Sequence, residues 1–175
     1  VFKKILIGVL LLVAVVCGLA LRQPDSFTVE RRTTVNAPPE KVFAQINDFH
    51  NWSAWSPWAK LDTAMTLTIA GAPAGVGANY EWAGNSAVGS GRMEIKESMP
   101  PNKVTIDLLF KSPIESRSIT TFQIEPKDAG SEVIWTMRGE NSFFSKVMGV
   151  FVSMDKMIGP DFEKGLSQLQ VAATK

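Results

Sequence analysis

Three patterns of apolar and polar positions divide the chain. In the first, Lys3-Lys4 leads into an unbroken apolar run from Ile5 to Leu21, closed by Arg22, Gln23 and Pro24. A 17-residue helix covers roughly 25 Å, slightly short of a ~30 Å hydrocarbon core but sufficient if Lys4 and Arg22 snorkel to the headgroups. In the second, from about Met65 to Asn141, apolar residues alternate with polar ones and turn residues separate the runs. In the third, Val147, Phe151, Met154, Ile158, Phe162, Leu166 and Leu169 recur at steps of three or four, which predicts an amphipathic helix over Phe143 to Ala173. Such a helix is about 45 Å long if straight. Gly159-Pro160 interrupts it, so a kink or split is expected there.

Between the first two patterns, Phe27 to Val35 reads as strand one, with Phe27, Val29, Thr33 and Val35 on one parity. Asn36-Ala37-Pro38-Pro39-Glu40 supplies a helix start: Asn36 as cap, proline in the first turn and Glu40 at the positive end of the dipole. The short helix that follows places Val42, Phe43 and Ile46 inward. Trp52, Trp55 and Trp58 then fall at a spacing of three, near one face of a tight turn that Pro57 ends or bends.

The alternating region yields strands at Met65 to Ile69, Ala78 to Ala83, Gly91 to Glu97, Val104 to Lys111, Arg117 to Glu125 and Glu132 to Gly139. Short links such as Pro126-Lys127-Asp128-Ala129-Gly130 make them an antiparallel meander. Parity puts Tyr80, Trp82, Met93, Ile95, Val104, Ile106, Leu108, Phe110, Phe122, Ile124, Val133, Trp135 and Met137 on one face, which the C-terminal helix must cover. Glu81, Arg92, Glu94, Asp107, Arg117 and Arg138 take the other, solvated face, unless a bulge near Gly89 or Gly91 turns Arg92 or Glu94 inward.

At 175 residues the chain fits one domain plus an extension. The division expected is 1–22 as a transmembrane anchor, 23–25 as a linker and 26–175 as a ligand-binding domain. With 18 basic residues against 17 acidic ones, and no basic stripe, a nucleic-acid partner is not indicated. The apolar run also meets the description of a cleavable signal, Gly18-Leu19-Ala20 offering small residues for a peptidase. Either way the domain is exported: Lys3 and Lys4 favour an extracytoplasmic domain, against which Arg22, Arg31 and Arg32 count. The single cysteine, Cys17, follows Val16 rather than a small residue, so it does not fit a lipoprotein signal.

Strand, two short helices, six strands and a long final helix is the order of the helix-grip fold, an α+β architecture. The segment Val35-Asn36-Ala37-Pro38-Pro39-Glu40-Lys41-Val42-Phe43, the run Trp52-Ser53-Ala54-Trp55-Ser56-Pro57-Trp58, Gly89-Ser90-Gly91, Val133-Ile134-Trp135 with Gly139, and Met157 to Leu166 carry a resemblance to the SRPBCC superfamily. The match is to its polyketide cyclase/dehydratase-like, START-like branch. Asp62 after Lys60-Leu61 resembles a subgroup motif, although Thr63 stands where proline is usual. The resemblance implies a curved sheet of about seven strands wrapped on the final helix, and an apolar cavity between them. The superfamily's members range from lipid carriers to cyclases and hydrolases, so fold does not deliver function.

Candidate chemistry is sparse. His50 is the only histidine, which excludes a histidine metal cluster, and it reads as a surface or capping residue beside the aromatic turn. The glycines at 71, 75, 77, 84, 89 and 91 read as turns and bulges, not as a phosphate cradle. No cofactor, metal site or catalytic residue is indicated. The ligand-binding candidates are Trp55, Trp58, Tyr80, Trp82, Met93, Phe110, Phe122, Trp135, Met137, Phe151, Met154 and Ile158, large aromatic faces and polarizable methionines suited to an apolar guest. For Trp52, Trp55 and Trp58, a ligand wall, an interface belt and plain core packing all suit the residue type. Three functions stay open: a membrane-tethered binder of a hydrophobic small molecule or lipid, an enzyme of the cyclase/dehydratase or hydrolase kind with a pKa-shifted polar residue in the cavity, and an interaction module with a filled core that binds a protein partner.

Overall fold

A computed structural model describes residues 1–175. Helix α1 (Phe2–Ala20) precedes strand β1 (Ser26–Val35), helix α2 (Pro39–Asn47), a 3₁₀ turn (Phe49–Asn51) and the single-turn helix α3 (Trp52–Trp55). Strands β2 (Thr66–Gly71), β3 (Ala78–Ala83), β4 (Ser90–Met99), β5 (Lys103–Ser112), β6 (Ser116–Lys127) and β7 (Gly130–Glu140) follow, and helices α4 (Phe143–Gly149) and α5 (Met154–Ala173) close the chain.

All seven strands form one antiparallel sheet in the order β1-β7-β6-β5-β4-β3-β2. Consecutive hairpins generate β2 to β7, and β1 completes the sheet beside β7, with Phe27 opposite Gly139 and Val35 opposite Ser131. This is the helix-grip fold, with α5 packed across the sheet and against α2 and α3. The parity reading of the inner face holds. Ile95, Val104, Ile106, Phe122, Ile124 and Val133 are fully buried, and they share one core with Phe162, Leu166 and Leu169 of α5.

Three local expectations need correction. The C-terminal segment is split into two helices, but the break falls before Met154 instead of at Gly159-Pro160. Ser153 is the reason, because its hydroxyl accepts a hydrogen bond from the Lys156 amide and caps a new helix, with Asp155 in the first turn. Pro160 is carried inside α5, where the carbonyl deprived of its partner belongs to exposed Lys156 and is left to water. Asn36 does not cap α2: Pro38 occupies that position without a side-chain bond, and Pro39 begins the helix. Asp107, assigned to the solvated face, is only 7% exposed, because Arg117 covers it with two hydrogen bonds of 2.7 and 2.9 Å. Arg31, at an inward position of β1, reaches α5 and bonds Asp155 and Glu163.

The bulge allowed for near Gly91 is present as a register shift between Ser90 and Gly91, with a second between Ile95 and Glu97. It does not bring charge inward, since Arg92 bonds Glu94 on the outer face. Gly91 has a different use. A β-carbon there would come within 2.6 Å of the Trp82 ring, so the missing side chain is what lets that indole lie across the sheet.

Candidate functional site

The aromatic turn between α2 and β2 divides its tryptophans between two tasks. Trp52 and Trp55 are buried, and their indole N–H groups donate to the carbonyls of Ile46 and Gln45 at 3.0 Å each. These carbonyls belong to the last turn of α2 and have no partner within the helix, so the two indoles close its C-terminal end from inside the core. Trp58, beyond Pro57, is half-buried and meets Trp135 edge to face with ring centroids 6.0 Å apart. It faces a cavity that Trp52 also lines.

The cavity has a volume of about 220 Å³ and lies between the sheet and α5. A single water needs roughly 10–15 Å³ measured this way, so the space suits an organic molecule. Of its 21 lining residues 15 are hydrophobic, and a wall of that kind rewards an apolar guest. Tyr80 and Trp82 on β3, Met93 on β4 and Leu108 and Phe110 on β5 form one wall, while Trp135 and Met137 on β7 form the other. Met154 and Ile158 cover it from α5, and Phe27 joins from β1. The Trp82 indole donates to the Val88 carbonyl at 3.0 Å and stands edge to face with Phe110 at 5.5 Å, which fixes the ring as a wall.

Two loops close one end. Asp62, the residue singled out in the subgroup motif, accepts the Ala64 amide at 3.0 Å with one oxygen and the Asn85 amide at 2.7 Å with the other. It thereby ties the segment carrying Met65 to the β3–β4 loop carrying Ala87 and Val88, all three of which line the cavity. Its geometry is that of a loop fastener.

Nine of the twelve sequence candidates therefore line the cavity: Trp58, Tyr80, Trp82, Met93, Phe110, Trp135, Met137, Met154 and Ile158. The other three do not. Trp55 and Phe122 are fully buried in the solid core, in edge-to-face contact at 5.9 Å. Phe151 lies in the link between α4 and α5 and is 68% exposed, because the helix break removes it from the face that covers the sheet. Sequence reasoning also missed the polar lining. Ser116, Ser118 and Thr120 run along the inner parity of β6, Ser56 follows α3, and Glu140 and Ser145 stand where β7 passes to α4. Period-two parity on β6 was the signal for Ser118 and Thr120, but neither is apolar.

Titratable chemistry in this space is limited to two side chains. Burial pushes the Tyr80 hydroxyl above its ordinary range, so it is held protonated, and Glu140 is exposed at the rim. His50 lies outside the lining, with Nδ1 2.7 Å from Asp48 Oδ1 at the surface.

The end of the cavity nearest Ser145 adjoins α1. Helix α4 packs on the last turns of α1, where Ala20 is fully buried and Cys17 partly so. The segment between them is strapped down: Asn141 donates its side-chain amide to the Pro24 carbonyl at 3.0 Å and its backbone amide to Asp25 at 2.8 Å, and Lys146 bonds the Asp25 carboxylate. The rest of α1 exposes its apolar side chains, and it is the one helix long and apolar enough to cross a membrane, a description that a signal sequence also meets.

Comparison with known proteins places this architecture. Residues 26–174 match the model of the family described as polyketide cyclase / dehydrase and lipid transport, and the chain belongs to that family. No curated protein matches the chain in sequence. Among solved structures, a protein from Chromobacterium violaceum is similar at 16% identity and a TM-score of 0.61, over 87% of this chain and 99% of its own. A protein from Rhizobium leguminosarum has a TM-score of 0.62 at 13% identity, covering 85% of this chain and 95% of its own. Ara h 8.0201 has a TM-score of 0.56 at 13% identity, covering 85% and 95%. At these identities the likeness shows the shared fold alone.

Proposed function

We propose that this member of the polyketide cyclase / dehydrase and lipid transport family is a membrane-tethered, extracytoplasmic binder of a hydrophobic small molecule or lipid. The observation that carries the reading is the 220 Å³ cavity between sheet and α5, with its predominantly apolar wall. The lipid transport in the family's description agrees with it. Catalysis in the same space would call for an acid or base in the wall, and the wall offers one protonated phenol and one rim carboxylate.

The position of α4 supports the tether. With α1 as a span, the strapped linker holds α4 at the level where the span leaves the bilayer. Phe143 and Phe144, each 53% exposed, then meet the lipid interface, where aromatic rings are favoured. Ser145 of the same helix lines the cavity, so a lipid guest would have a short path from the membrane.

Native mass spectrometry of the full chain, released gently from its host membranes in detergent, tests the binding. A reproducible bound mass in the range of a lipid or polyketide is the expected result. A bare, folded protein from every preparation overturns it.

A further inference from the structure

The interior sorts its apolar side chains by type. The solid core takes most of the branched aliphatic residues, and none of Ile46, Ile95, Ile106, Ile124 and Leu169 lines the cavity. The cavity wall differs: of its 15 hydrophobic residues, seven carry aromatic rings and four are methionines. The chain has seven methionines in all. Met99, Met148 and Met157 are exposed at the surface, and the other four, Met65, Met93, Met137 and Met154, all line this one space. These groups are within reach of a guest, because they keep accessible surface. Phe27, Trp58, Phe110, Met65, Met93 and Met154 are only partly buried, and Trp82 and Tyr80 remain 8% and 7% exposed.

We infer that the guest is a molecule with a flat, conjugated ring system, which the site prefers to a saturated hydrocarbon chain of similar size. The inference rests on the binding reading and narrows it. The rings of the sheet wall are held in place before any guest arrives: Trp82 donates to the Val88 carbonyl, stands edge to face with Phe110 at 5.5 Å and lies 6.2 Å from Tyr80. An aromatic guest gains from stacking and edge contacts with fixed rings, and from contacts with the methionine sulfurs, beyond the area it buries. A saturated chain gains by area alone and must also freeze its own rotatable bonds. The methionine side chains, unbranched and flexible, adjust to the outline of the ring, so the site accepts a class of such molecules rather than a single one.

The test titrates the full chain in detergent with 2-naphthol and with 1-decanol, which match in carbon count and in their single hydroxyl. Isotope-labelled methionine methyl groups followed by NMR report the site, with exposed Met99 as the control. 1-Decanol is the more hydrophobic probe, so burial alone would make it the tighter one. The expected result is the reverse: 2-naphthol shifts Met65, Met93, Met137 and Met154 through its ring current and saturates at the lower free concentration, after correction for partitioning into protein-free micelles. Phe110→Leu should weaken 2-naphthol about two- to tenfold, the worth of one aromatic pair, and leave 1-decanol unchanged. If that variant does not fold, the comparison on the unaltered chain decides. Saturation by 1-decanol at an equal or lower concentration, or equal effects of Phe110→Leu on the two probes, overturns the ring preference and leaves the apolar cavity reading intact. Failure of both probes to shift the four cavity methyl groups overturns both.

Discussion

The Arg31 guanidinium occupies the space that a side chain at residue 159 would need: a β-carbon on Gly159 would lie 2.0 Å from Nη2. From there Arg31 bonds Asp155 at 2.7 and 3.0 Å and Glu163 at 2.7 Å, one helical turn to either side of the glycine. Strand β1 thus grips α5 through a glycine-sized gap, about one and a half turns in from the start of the helix that covers the cavity.

Gly159→Ala should therefore have opposite signs in two backgrounds. In the natural chain, overpacking of about 1–3 kcal/mol outweighs the gain of up to about 1 kcal/mol from alanine's better helix propensity, because Asp155 and Glu163 hold the guanidinium in place. With Arg31→Met in place the clash is gone, and the same change should stabilise by up to about 1 kcal/mol. Thermal unfolding of the four chains followed by circular dichroism measures this; equal effects in the two backgrounds would contradict the shared-space account.

Acid should loosen the sheet through Asp107. The Arg117 guanidinium holds the Asp107 carboxyl below its ordinary value of 3.8, against the opposing pull of burial. A depressed carboxyl contributes its stability above the unfolded-state value and loses it as pH falls through the folded one. Unfolding midpoints should thus drop below about pH 4. Asp107→Asn should flatten that decline and cost about 1 kcal/mol at neutral pH, since Arg117 itself is largely exposed. A decline of unchanged steepness in the variant would assign the acid sensitivity to other carboxylates.

Trp55 and Met93 should separate core from cavity wall. Trp55→Ala empties a fully buried site, removes the bond to the Gln45 carbonyl and should cost about 3–5 kcal/mol. Met93 is only partly buried and lines the cavity, so Met93→Ala should cost less and admit a bulkier guest. Melting temperature reads the first difference, and the distribution of bound masses reads the second.

An environment-sensitive fluorophore attached to a cysteine at 144, with Cys17 replaced by serine, should be quenched by shallow nitroxide-labelled lipids when the full chain is reconstituted. The same label at Val76, exposed in the β2–β3 turn, should not. A label at residue 12 reports whether α1 is inserted at all. Quenching at 12 without quenching at 144 would keep the span but place α4 away from the bilayer.

Much of this architecture was legible in the sequence because it depends on local geometry. Side-chain direction in a strand alternates residue by residue, so parity alone separated Tyr80, Trp82, Met93 and Trp135 from Glu81, Arg92 and Glu94. The apolar run from Ile5 to Leu21 and the helical spacing of Phe162, Leu166 and Leu169 are equally local. What only the tertiary structure decided was how the inward positions are shared. Trp55 and Trp58 have one residue type and one spacing, yet one closes α2 inside the core and the other faces a void, because packing across the sheet fills one site and not the other. Ser153 broke the final helix where a proline had seemed the stronger signal, and that shift carried Phe151 outward. Arg31 and Thr120 occupy inner-face positions that binary patterning assigns to apolar side chains. Whether such a position holds an ion pair, an unpartnered hydroxyl or a hydrocarbon depends on what α5 and β7 bring to meet it, which is a property of distant residues and not of the segment itself.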